Sequence, residues 1–122
     1  MNQADDEKLI TEVINRYFSS TYHGDAEQIH SAFHPEAHIT GIIDKEVFDW
    51  KLASFVERIA QAPSAAEKNE KFDKKILSMD IENNAAMVKA RVVISKYTFI
   101  DYIILLKIDD KWIIRNKSFT TL

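Results

Sequence analysis

The spacing of apolar residues changes period once along this chain, and that change restricts the fold more than any other feature. Through residue 61 the pattern is mainly helical, broken by two short strands; from Lys71 onward it is that of strands. Leu9, Ile10, Val13, Ile14, Tyr17 and Phe18 form one stripe of a helix predicted over Asp5 to Tyr22, with Glu7, Glu12 and Arg16 on its other side. Gly24 is placed to end that helix, and Asp25 to cap a short second one whose apolar face is Ile29, Ala32 and Phe33. Pro35 stops it. Ala37 to Ile43 and Val47 to Trp50 read as strands. Leu52, Phe55, Val56 and Ile59 then recur at helical spacing on a third helix that should end near Pro63, and the polar stretch Gln61 to Glu70 reads as a mobile loop.

Beyond Lys71, turns at Asn83-Asn84, Tyr97-Thr98 and Asp109-Asp110 divide the chain into a four-stranded antiparallel meander. Helices first and strands after predict an α+β fold, three helices packed on a curved, mainly antiparallel sheet. The 122 residues suit one domain spanning 1–122. A chain of this size buries about two-thirds of its surface, enough for a core without staples. Two Gly and two Pro leave little room for linkers or repeats.

Other classes drop out quickly. With no Cys there are no disulfides, thiolate metal sites or cysteine nucleophiles. The acidic start from Met1 to Glu7 lacks an apolar core and predicts no secretory leader. The longest strongly apolar run, Ile103 to Leu106, is far short of the ~20 residues of a membrane span. A net charge of −3 argues against nucleic acid as the main partner. The expectation is a cytoplasmic protein.

Two-residue turns fix register, and register decides which side chains share a face. On this register Leu105 opposes Ile114, Ile103 opposes Asn116 and Asp101 opposes Ser118, while Ile94 opposes Asp101 and Leu77 opposes Ala90. One face then gathers Leu77, Met79, Val88, Val92, Ile94, Phe99, Ile103, Leu105, Trp112 and Ile114, with Asp101, Asn116 and Ser118 grouped at one end. The helices should cover it. The opposite face carries Ile100, Tyr102, Ile104, Leu106, Ile113 and Phe119 among Lys89, Arg91, Arg115 and Lys117. A face so apolar predicts pairing with a second subunit.

A carboxylate among apolar side chains must be hydrogen-bonded or protonated. Asp101 beside Asn116 and Ser118 therefore reads in one of two ways. It is a ligand anchor or general acid/base, or it is a structural group accepting from Ser118, Tyr17 or backbone. His30, His34 and His38 recur every four residues, but Pro35 keeps them off one helical face, so no metal is expected; His34 remains a candidate pocket donor. Two glycines cannot make a phosphate-binding loop or a dinucleotide fingerprint, and no cofactor is expected. Tyr17, Phe33, Trp50 and Phe55 fall at core spacing and would line any pocket left open.

The segments Arg16-Tyr17-Phe18, Gly24-Asp25, Ala32 to Ala37, Phe99 to Tyr102, Lys107 to Trp112 and Asn116-Lys117 resemble the nuclear transport factor 2-like superfamily. Within it the chain is most similar to the small bacterial proteins known as putative lumazine-binding. The resemblance implies a cone-shaped α+β barrel with a deep pocket, paired through its outer sheet face. Relatives include ketosteroid isomerase, scytalone dehydratase and polyketide cyclases alongside pure binding modules, so fold does not settle function. Tyr17 looks like the isomerase's oxyanion donor, but the position of that enzyme's base falls close to Gly41 and its second acid near Ile104 or Leu105.

The expectation is a homodimer holding a small apolar molecule. Tyr17, Phe33, His34, Trp50, Phe55, Ile94 and Ile103 would line the pocket, and Asp101, Asn116 and Ser118 would anchor the ligand. Any chemistry would be a cofactor-independent isomerase, dehydratase or cyclase step. Asp101 would shuttle the proton and Tyr17 would stabilise the oxyanion. The alternative is a non-catalytic dimerisation or binding module, its cavity filled by its own aromatic side chains.

Overall fold

The computed structural model describes residues 3–122; Met1 and Asn2, where the acidic N-terminal stretch begins, lie outside the described residues. Helices α1 (Gln3–His23) and α2 (Ala26–Ala32) lead into strands β1 (Phe33–Ile43) and β2 (Glu46–Lys51), then helix α3 (Leu52–Gln61). Strands β3 (Phe72–Glu82), β4 (Ala85–Ile94), β5 (Tyr97–Ile108) and β6 (Lys111–Thr121) follow. All six strands join one sheet in the order β2-β1-β6-β5-β4-β3. Every neighbouring pair is antiparallel except β1 with β6, which are parallel. The sheet curves around the helices without closing, and β2 and β3 are its edges. Among the described residues no helix is long and apolar enough to cross a membrane.

The predicted helices form because their apolar stripes meet this sheet. Ile10, Ile14, Tyr17 and Phe18 of α1 and Leu52, Phe55 and Val56 of α3 are buried against Val88, Ala90, Ile103, Leu105 and Ile114. Asp25 caps α2 as expected, accepting from the Gln28 amide at 3.2 Å. The polar segment after α3 is a turn-rich connection fastened to α1. The Ala66 amide donates to the Tyr22 carbonyl at 3.0 Å, and the Tyr22 hydroxyl donates to the Glu70 carbonyl at 3.0 Å.

Four details depart from the sequence reading. The β1 strand starts at Phe33 rather than Ala37, directly after α2. Pro35, which has no amide hydrogen, lies in the gap between the Phe33–Ile114 and His38–Asn116 pairs, where the β1–β6 register shifts. The middle turn is Ser95-Lys96 instead of Tyr97-Thr98. Ser95 takes the positive φ of 56° there, and Ile94 pairs with Tyr97. That error displaces the pairing by an even number of residues, so faces are kept and Asp101, now opposite Ala90, still points inward.

Two bulges have a different effect. The Ile76–Ala90 pair is followed by Ser78–Lys89, which leaves Leu77 as the extra residue, 42% exposed rather than in the core. On β6, Leu105–Ile114 is followed by Ile104–Asn116, with Arg115 the extra residue. Beyond it every side chain changes face. Lys117 and Phe119, expected outside, are buried, while Asn116 and Ser118, expected inside, are exposed.

A candidate ligand cavity at the open side of the sheet

The inward side chains of the curved sheet do not fill the space beneath α1 and α3, and a cavity of about 240 Å³ remains. Its walls come from α1 (Tyr17, Phe18, Thr21), α3 (Phe55, Ile59) and all six strands, among them Trp50, Val92, Ile94, Phe99 and Phe119. The β6 bulge builds one wall by turning Lys117 and Phe119 inward. Gly41 pairs with Phe119 across the β1–β6 ladder, and a Cβ there would lie 2.4 Å from the Phe119 ring. The glycine thus makes room for that ring to lie across β1.

Three polar side chains stand together in this apolar wall. Asp101, Tyr17 and Lys117 are 2%, 4% and 6% exposed. The Tyr17 hydroxyl donates to Asp101 Oδ2 at 3.1 Å, and Lys117 Nζ donates to the Tyr17 hydroxyl oxygen. The amine also lies 3.9 Å from Asp101 Oδ2. It also lies over rings, with Tyr17, Phe119 and Phe55 centroids at 4.7, 5.2 and 5.4 Å.

Burial governs the titration of Tyr17 and Lys117. It pushes the Tyr17 phenol well above its ordinary value, and the adjacent Asp101 carboxylate raises it further, so Tyr17 is a neutral donor. Burial also pulls the Lys117 ammonium below its ordinary value, opposed by the attraction of Asp101. The cluster is an ion pair bridged by a phenol, with lysine N–H donors left for another partner.

The sequence-predicted residues divide clearly. Asp101, Tyr17, Trp50, Phe55 and Ile94 line the cavity together. Phe33 and Ile103 are fully buried but lie behind the lining: Phe33 packs edge-on against the Tyr17 ring at 5.5 Å. His34 is also outside it, its Nδ1 accepting from the Glu36 amide at 3.0 Å. Asn116 and Ser118 are occupied on the opposite face. Asn116 Oδ1 accepts from the His38 amide at 3.3 Å, and Ser118 shares a hydrogen bond with Thr40 at 2.7 Å. The grouping of Asp101 with Asn116 and Ser118 is therefore corrected, because the bulge turns those two away.

Lys117 is the residue that sequence reasoning missed. One signal was present: Trp112 and Ile114 alternate inward, and Phe119 is the next large apolar residue, but it stands an odd number of positions further on. Such a break in parity, with Arg115 and Asn116 inside it, marks a bulge.

The family model described as putative lumazine-binding matches residues 5–120. Among solved structures, an NTF2-like protein of unknown function from Silicibacter pomeroyi superposes with a TM-score of 0.90 at 18% identity, covering 100% of both chains. One from Shewanella baltica reaches 0.87 at 23% identity, covering 100% of this chain and 98% of its own. A third, from Methylobacillus flagellatus, reaches 0.86 at 28% identity, covering 99% and 95%. No curated protein matches the sequence.

Proposed function

The chain belongs to the family described as putative lumazine-binding, within the nuclear transport factor 2-like fold, and we propose that it binds a small, largely apolar molecule in its cavity. The supporting observation is the buried Asp101–Tyr17–Lys117 chain facing an otherwise apolar space of about 240 Å³. Burying an ion pair is expensive unless its geometry is well satisfied. Placing its free donors on a cavity is what a site for one polar group of an apolar ligand requires. Lumazine itself presents two carbonyls and four ring nitrogens, more than Tyr17, Thr21, Asp101 and Lys117 can serve, so a less polar bicyclic compound fits better.

The same groups suit proton transfer without a cofactor. Asp101 takes the proton as general base. Lys117, whose N–H groups face the cavity, takes the oxyanion-stabilising role first assigned to Tyr17, whose own hydrogen is committed to Asp101.

Naphthalene-2-methanol tests the binding reading. Trp50 lines the cavity and Trp112 does not, so the probe should change Trp50 fluorescence saturably. Val92→Phe, which fills the space, should remove the response. An unsaturable signal, or one unaffected by Val92→Phe, would refute the site.

The outer sheet face is proposed to pair two copies. Tyr102 and Ile104 on β5 are 45% and 40% exposed, and Leu106 and Ile113 lie half-buried beside them. Sedimentation should give a dimer for the wild type and a monomer for Ile104→Glu; a monomeric wild type rejects the pairing.

A further inference from the structure

We propose that Lys117 is a nucleophilic amine that forms an imine with an aldehyde or ketone held in the cavity. The inference rests on the cavity reading above and names its ligand class: apolar carbonyl compounds. Lys117 Nζ is linked to Asp101 by hydrogen bonds running in one direction, amine to phenol and phenol to carboxylate. One proton passed along that chain, from Nζ to the Tyr17 oxygen as the phenol proton moves to Asp101 Oδ2, leaves a neutral amine, an unchanged tyrosine and a neutral carboxylic acid. Surface lysines have no such acceptor at the end of a buried relay. The rings of Tyr17, Phe55 and Phe119 lie beside the amine of Lys117, a residue only 6% exposed, so an apolar ligand filling the cavity would shield an imine from hydrolysis.

The step balances without a co-reactant. The Nζ lone pair attacks the carbonyl carbon, and one hydrogen of the attacking amine passes to the carbonyl oxygen to give a neutral carbinolamine. Asp101, through Tyr17, returns its proton to the departing hydroxyl. Water leaves, and the C=N bond forms to Nζ as a protonated imine, its charge balanced by the regenerated Asp101 carboxylate. Among the described residues, the charged and titratable groups that line the cavity with the amine are Tyr17 from α1 and Asp101 from β5, whereas α3 and β6 contribute the rings of Phe55 and Phe119. Further out, Arg58 lies over Trp50 at 5.0 Å, and Lys74 lies over Phe72 at 5.3 Å and Phe18 at 5.9 Å. Burial, which lowers the proton affinity of Lys117, acts in the same sense as the relay.

Treating the whole protein with 2-naphthaldehyde and sodium cyanoborohydride at neutral pH, followed by peptide mass mapping, tests the proposal. Lys117 should gain the naphthylmethyl group at least about tenfold faster than the exposed Lys111, and Tyr17→Phe should slow Lys117 by about tenfold or more while leaving Lys111 unchanged. Lys117→Met should lose that adduct alone. Lys117 labelled no faster than Lys111 would overturn the imine. Saturable binding of naphthalene-2-methanol without a Lys117 adduct would overturn it too, but would leave the cavity reading intact. If neither compound engages the cavity, both readings fall.

Discussion

Two clusters of the same make-up tie α1 to the sheet, and they differ in what lies beside them. Near the start of α1, Asp6 accepts from the Trp112 indole at 3.0 Å and from Lys107 at 3.4 Å. One ladder pair on β5 and β6 supplies both donors. Near its end, Asp101 accepts from Tyr17, which accepts from Lys117. Each lysine also lies over its aromatic partner, at 5.5 Å for Trp112 and 4.7 Å for Tyr17. In the first cluster both donors end on the carboxylate, and the Lys107 side chain keeps 17% of its exposure. In the second the ring stands between the charges, the lysine is more deeply buried, and a cavity opens next to it. The first is built as a fastener. The second keeps charge in a dry place without spending all its donors, the arrangement expected of a binding site.

The largest expected effect follows from that difference in burial. Asp101→Ala leaves Lys117 charged, buried and unpaired, and should cost about 3–5 kcal/mol in urea unfolding. Removing both charges in Asp101→Leu/Lys117→Met should recover most of that loss, because the pair must also overcome its own desolvation. Asp6→Asn, with the Lys107 side chain partly in water, should lower the unfolding midpoint far less. Equal losses at the two aspartates would erase the distinction drawn between the clusters.

The next effect concerns the cavity side alone. Gly41→Ala drives a methyl group into the Phe119 ring, and overpacking of this kind costs about 1–3 kcal/mol. If the displaced ring moves into the cavity, binding of naphthalene-2-methanol should weaken, whereas the Asp6 cluster should be unaffected. Wild-type stability in Gly41→Ala would mean that the ring moves freely.

How much of this was legible in the sequence depends on what fixes each feature. The helix stripes, the Asp25 cap, the Asn83-Asn84 and Asp109-Asp110 turns and the inward Asp101 are local or parity properties, and they could be read. Asp109 and Asp110 adopt the positive φ values, 51° and 63°, that such a hairpin turn needs. The bulge at Leu77 left no trace in the sequence, because an inserted residue changes parity without changing composition, and the one at Arg115 left only the odd spacing from Ile114 to Phe119. The consequence for the site was large. One extra residue exchanged Asn116 and Ser118 for Lys117 and Phe119, replacing a neutral hydrogen-bonding group with a cation and a ring. The parallel β1–β6 pairing was likewise hidden, since it joins residues some eighty positions apart.

The smallest effects are in pH, and they separate the clusters by direction. Tyr17 keeps its proton in the folded state well past the ordinary phenol value of 10.0, chiefly through burial and then through Asp101. Above that pH the unfolded chain loses the proton and the folded chain does not, so the Tyr17 contribution to stability falls as pH rises through 10.0. Tyr17→Phe should lack this fall, and its stability deficit against wild type should shrink in urea titrations on the alkaline side. The Asp6 carboxyl behaves oppositely. The Trp112 hydrogen bond, outweighing the cost of burial and aided by Lys107, holds it below its ordinary 3.8. Its contribution is complete above 3.8 and disappears as pH falls through its lowered folded value. The gap between wild type and Asp6→Asn should therefore close in acid and stay constant from neutral pH to about 9, below the range in which lysines lose their charge. A gap at Asp6 that changed between neutral pH and about 9, or one at Tyr17 that responded only to acid, would mean that the two clusters are electrostatically coupled through α1 rather than independent.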